Sequence, residues 1–153
     1  MVYQPTFPLF RAVAAFMVVL LAALFVSPAA AQPVPSEFTQ RILIKSTLMT
    51  FHDAIVTNDF GVLHARAAAP FREKFSVEDL AKEFKPFVDN EITFIAFVDA
   101  EHIDDEPAKV EEGVLTLLGH FQLKPGKVSY RLRYIIDGDE WRMVGINVNV
   151  SED

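Results

Sequence analysis

From position 12 to position 26 every residue is apolar. Beyond Pro28 apolar residues return at helical spacing, and after Glu91 they recur at every second position. The chain therefore reads as a leader, a helical half and a strand half. Ser36 stands where an N-cap accepts from free helix amides, and the spacing predicts a helix over 37–57. At about 100° per residue, Phe38, Ile42, Met49 and Val56 form one apolar stripe and Ile44, Leu48, Phe51 and Ile55 a second beside it. Asp59 caps a second, short helix carrying Phe60, Leu63 and Ala67, and Pro70 prevents its continuation. Ser76 with Asp79 makes a capping box that opens a third helix, with Val77, Leu80, Ala81 and Phe84 inward and Pro86 at its end.

Four strands are predicted, over 92–100, 110–123, 128–137 and 140–150, where Val, Ile, Thr, Tyr and Phe become common. Pro125-Gly126 suits a type II turn that sets Leu123 opposite Val128, Phe121 opposite Tyr130 and Gly119 opposite Leu132. Leu115, Leu117, Phe121, Tyr130, Leu132 and Tyr134 then share the core face, and Thr116, His120, Gln122, Ser129, Arg131 and Ile135 face out. A three-residue loop, Asp137-Gly138-Asp139, turns Val144, Ile146 and Val148 inward and leaves Trp141 outside beside Arg133. The acidic run 101–106 with Glu111 and Glu112 lacks the alternating ligands and central glycine of a calcium loop, and reads as a solvated connection between the first two strands. The fold class is α+β, with three N-terminal helices laid on one face of a four-stranded antiparallel sheet.

Composition adds the compartment. Arg11, the apolar run and Ala29-Ala30-Ala31 have the order of a signal peptide cleaved after Ala31, giving a leader over 1–31, a spacer over 32–36 and one domain over 37–153. The apolar run is shorter than the roughly 20 residues that span a bilayer as a helix, so no membrane association is expected after cleavage and the mature protein is placed in the periplasm or outside the cell. Acidic residues outnumber basic ones 21 to 14, for a net charge of −7, and no nucleic-acid partner is expected, since that needs a basic surface. The chain has no cysteine, which excludes disulfides, thiol catalysis and thiolate metal sites.

The strand half carries Gly113-Val114-Leu115-Thr116-Leu117-Leu118-Gly119-His120-Phe121, Pro125, Tyr130-Arg131-Leu132-Arg133-Tyr134, Gly138 and Trp141-Arg142-Met143-Val144-Gly145-Ile146. With Ala69-Pro70-Phe71-Arg72 and Phe75-Ser76-Val77-Glu78-Asp79-Leu80, these resemble the nuclear transport factor two-like superfamily, and in particular its small secreted proteobacterial members of unknown function. The resemblance implies a cone-shaped, cystatin-like half-barrel with a curved sheet, a pocket between helices and sheet, and homodimers through the sheet. Its motifs specify turns and core and transfer a fold more safely than a function. Relatives such as ketosteroid isomerase and scytalone dehydratase use Asp, Tyr or His in that pocket, and no such pattern matches here residue by residue.

Within that frame Arg41, Lys45 and His52 interrupt the apolar arc of the first helix. Joined by His64, Tyr130 and Tyr134, they are the candidate ligand-binding set for a small acidic or carbonyl compound. The competing reading lets Arg41 and Lys45 extend into water and gives each histidine a backbone carbonyl. The four histidines have no metal-ligand spacing, and no cofactor or metal is expected. Leu118, Arg131, Arg133, Ile135, Trp141 and Met143 compose the candidate homodimer surface on the outer sheet face. Two functions follow: an exported non-catalytic domain that binds a small ligand or a protein partner, or a cofactor-free lyase or isomerase with His52 or His64 as base and Tyr130 or Tyr134 as hydrogen-bond donor.

Overall fold

The computed structural model describes residues 32–151, and the predicted leader lies outside them. Helix α1, Glu37–Thr57, begins where the Ser36 hydroxyl accepts from the Thr39 amide and ends at Asn58 in the left-handed conformation. Its buried face is Ile44, Leu48, Phe51 and Ile55, extended by Ala54, Thr50 and His52. Phe38, Ile42 and Val56 are 70%, 50% and 59% exposed, so the other predicted stripe lies largely in solvent. The buried arc is centred on Phe51 and Ile44 and reaches Thr50 and Ala54 on one margin, roughly a quarter-turn from where the apolar residues alone had placed it.

Among the described residues five α-helices stand where three were expected, because two prolines begin helices instead of ending them. After α2, Gly61–Arg66, whose first amide is held by the Asp59 carboxylate at 2.8 Å, Pro70 sits in the first turn of α3, Ala69–Lys74. Pro86 does the same in α5, Lys85–Asp89. A first-turn residue has no intrahelical partner for its amide, so proline loses nothing there. Between them α4, Val77–Glu83, has the predicted capping box: the Ser76 hydroxyl accepts from the Asp79 amide and the Asp79 carboxylate from the Ser76 amide.

The first predicted strand is instead a 3₁₀ turn, Ile95–Asp99. Phe94 and Phe97, three residues apart, both point into the core. The acidic run read as a loop is itself the first strand, β1, Glu101–Glu111. It is followed by β2, Val114–Gln122, β3, Lys127–Asp137, and β4, Glu140–Ser151, in an antiparallel sheet of order β1-β2-β3-β4. Glu112 and Gly113, both at positive φ, make the β1–β2 turn. The β2–β3 register is two residues away from the expected one, pairing Phe121 with Val128 and Gly119 with Tyr130. A shift of two preserves which face each side chain occupies.

The last hairpin turns on two residues, with Asp137 opposite Glu140, and then slips at a bulge between the Arg133–Gly145 and Tyr134–Met143 pairs. Beyond the bulge Leu132 faces Ile146 and Tyr130 faces Val148, which keeps Ile146 and Val148 on the core face as expected. Before it Tyr134 faces Met143 and Ile136 faces Trp141, so Met143 is buried and Trp141 packs against the core. Neither belongs to the outer face. The inner sheet face and the helices enclose a phenylalanine core: Phe51 lies 4.6 Å from Phe84 and 5.9 Å from Phe94 between ring centres, and Phe97 lies 5.2 Å from Phe121. Aromatic pairs at such spacings add about 0.5–1.5 kcal/mol each beyond area burial.

Candidate functional site

The six residues of the sequence-based set do not converge. Arg41 is exposed and approaches Glu37 at 3.8 Å, one turn away on its own helix. Lys45 donates to the Val98 carbonyl at 2.9 Å and so ties α1 to the 3₁₀ turn. His52 is buried with its ring edge-on to Phe94 at 5.2 Å, and neither ring nitrogen has a hydrogen-bond partner. His64 is bonded through Nε2 to the Phe75 carbonyl at 2.8 Å, which fixes α2 against the segment between α3 and α4. The two tyrosines lie on the inner face of β3 but serve different neighbourhoods. The cause is the displaced arc of α1, since Arg41, Lys45 and His52 lie along one margin of the buried face and not in its middle.

Tyr134 belongs to an open cleft of about 560 Å³ between α1, α2 and the β3–β4 hairpin. Its hydroxyl donates to the Leu43 carbonyl at 3.0 Å and meets the Thr47 hydroxyl at 2.9 Å. Burial pushes the phenol well above the usual tyrosine range, so it stays protonated. One helical turn on, Thr50 donates to the Ser46 carbonyl at 2.8 Å and accepts from the Arg66 guanidinium at 2.9 Å. Trp141, Met143, Leu43 and Leu63 supply apolar wall, and Asp139, Glu140 and Arg142 form part of the lining. Arg142 is engaged with Glu140 at 3.2 Å. Thr47 and Thr50 missed notice because they are hydroxyls amid an apolar helix, although their spacing of three on the face of Ala54 was a readable signal. Arg66 carried none, since only the fold brings α2 to Thr50.

Tyr130 belongs to a second group at the inner edge of the sheet. Its hydroxyl meets His102 Nε2 at 2.6 Å, and Asp104 lies 3.4 Å from the same nitrogen. Gly119, directly opposite Tyr130, lets the phenol cross β2 to reach β1, because a Cβ there would lie 2.6 Å from the phenol oxygen and 2.5 Å from the Ile103 carbonyl. Burial lowers the His102 pKa, opposed by Asp104 and reinforced by Arg41 and Lys45. The space beside this group, bordered by Arg41 and Gln40, is about 40 Å³, close to one water molecule's share of liquid. A larger groove of about 790 Å³ lies between α3, α4 and β4, but its Asp79 is committed to the Ser76 cap, and Lys74, Lys82 and Glu83 complete its charged lining. The cleft at Tyr134 is thus where hydroxyls, a guanidinium and an indole converge on room for a small molecule.

On the outer sheet face Leu118 pairs with Arg131 and Thr116 with Arg133, and His120 is bonded to Asp105 at 2.7 Å. Among the described residues no helix is long and apolar enough to cross a membrane, and no three His, Cys, Asp or Glu side chains are grouped to hold a metal ion. Comparison with protein-family models, with curated proteins and with solved structures finds no match to this chain.

Proposed function

We propose that this chain is an exported, non-catalytic binding domain of nuclear transport factor two-like architecture that takes a small ligand in the cleft between α1, α2 and the β3–β4 hairpin. Helices first and a four-stranded meander last, with the inner sheet face turned to the helices, support the architecture. The observation that carries the binding role is the cleft itself: a fixed row of polar groups, Tyr134–Thr47 and Arg66–Thr50, beside the apolar surface of Trp141 and Met143. Apolar wall beside polar groups fixed in place is what small-ligand sites share, and here Asp139, Glu140 and Arg142 add charge to the same lining.

The lyase or isomerase reading has less support. It requires a histidine base and a tyrosine donor opening into one cavity, whereas His52 and His64 are absent from the cleft lining, His64 is spent on a backbone carbonyl, and the space above the sheet is filled by Phe51, Phe84 and Phe94. We further propose that the outer sheet face, through Leu118, Arg131, Arg133 and Ile135, joins two copies. Native mass spectrometry of the protein recovered from its own cell envelope or medium tests the binding role. A bound small molecule is expected, lost in Thr47→Trp, whose indole fills the cleft. Recovery of the bare chain alone would contradict it.

A further inference from the structure

The chemical class of the ligand follows from the charges that line the cleft, an inference that rests on the binding role proposed above. A guanidinium has five N–H donors. For Arg66 a single hydrogen bond is made, to the neutral Thr50 oxygen, and among the described residues no carboxylate lies within ion-pair distance. Arg66 is exposed, so those remaining donors face solvent. The other arginine of the lining, Arg142, is already neutralised by Glu140 at 3.2 Å. Thr50 cannot reorient freely, because its own proton is given to the Ser46 carbonyl. Arg66 is therefore held at one corner with its remaining donors free, in the planar fork that matches a carboxylate in two-point contact.

We propose that the cleft binds a planar organic monocarboxylate, its carboxylate on Arg66 and its ring against Trp141. A single negative charge fits better than two, since one guanidinium is free and Asp139 adds a carboxylate to the same lining. The ring position follows from the wall, where Trp141 is half-buried with Met143 and Leu43 beside it, and an indole face offers large apolar contact at small entropic cost.

Trp141 is the only tryptophan in the chain, so its emission reports the cleft directly. Phenylacetate and its neutral isostere phenylacetamide, titrated separately into the purified protein, are the probes. The expected result is a saturable change with phenylacetate and affinity for phenylacetamide weaker by about tenfold, the scale of one charge-assisted hydrogen-bonded pair. In Arg66→Gln the two compounds should become equivalent, with Arg66→Lys intermediate and the far-ultraviolet circular dichroism of both variants unchanged. Equal affinities in the wild type, a preference that persists in Arg66→Gln, or no response to either probe would each overturn the carboxylate assignment. The binding role is read separately, by the mass of the native complex, and a neutral ligand found there would sink this inference and leave that role standing.

Discussion

Gly119 is a position where one hydrogen atom decides a contact. Its missing side chain lets the Tyr130 phenol pass to His102, and a Cβ would sit 2.5 Å from the Ile103 carbonyl oxygen, a backbone atom that cannot simply swing away. Gly119→Ala should therefore lower stability by about 1–3 kcal/mol, the cost of overpacking a well-filled site, and an unchanged urea midpoint would contradict the contact. The sequence showed a glycine on the core face of a strand but not its partner, since the register was off by two. His102 was less legible still, hidden in an acidic run with no alternation to announce an inward side chain. Its pKa is held below the ordinary 6.5 chiefly by desolvation, so as the pH falls the unfolded chain takes up the proton first. Stability contributed by neutral His102 is complete above about 6.5 and declines through the window beneath it. Urea midpoints measured from pH 7.5 down to 5 should fall, and fall less steeply in His102→Gln. An equal slope in the variant would assign the effect elsewhere.

Among the elements, α1 shows both what periodicity reveals and where it misleads. Its start was readable from Ser36, because capping is local chemistry. Its facing was misjudged because Phe38, Ile42 and Val56 counted as core by type, while burial depends on which side the sheet occupies. Leu48→Ala should cost about 2–5 kcal/mol, the range for emptying a fully buried leucine site, and Phe38→Ala should stay within about 0.5 kcal/mol as exposed substitutions do. Thermal unfolding of the two variants checks the assignment, and comparable losses would return Phe38 to the core. β1 was missed for a related reason. As an edge strand it carries Asp104, Asp105, Glu106 and Pro107, residues that protect an open edge from pairing with another chain and that also make a strand look like a loop. The bulge in β4 was invisible because either hairpin parity was locally sound, and the chain uses one on each side of Val144.

For the whole molecule, the order of helices then strands gave the fold class, whereas the candidate site was legible only in Tyr134, because a cleft built from α1, α2 and a hairpin depends on packing that no single segment encodes. The outer face keeps Leu118, Ile135 and the two arginines of β3 but loses Trp141 and Met143 to the inner side. Asp105, Glu106 and Glu111 of β1 are exposed at the far side of the sheet. A two-fold contact centred on Leu118 would set the arginines of one copy over the carboxylates of the other. Sedimentation equilibrium should find a dimer for the wild type and a folded monomer for Leu118→Glu, and a wild type that stays monomeric at high micromolar concentration would contradict the contact. The claim on which the rest depends is that ligand enters the Tyr134 cleft and not the phenylalanine-filled interior. Returning the molecule released from the native protein to ¹⁵N-labelled apoprotein tests it most directly, because the lone indole N–H of Trp141 and the amides of Thr47, Thr50 and Arg66 surround that cleft. These signals should shift together and saturate at one equivalent, and shifts confined to Phe51, Phe84 and Phe94 or to the outer sheet face would contradict the account.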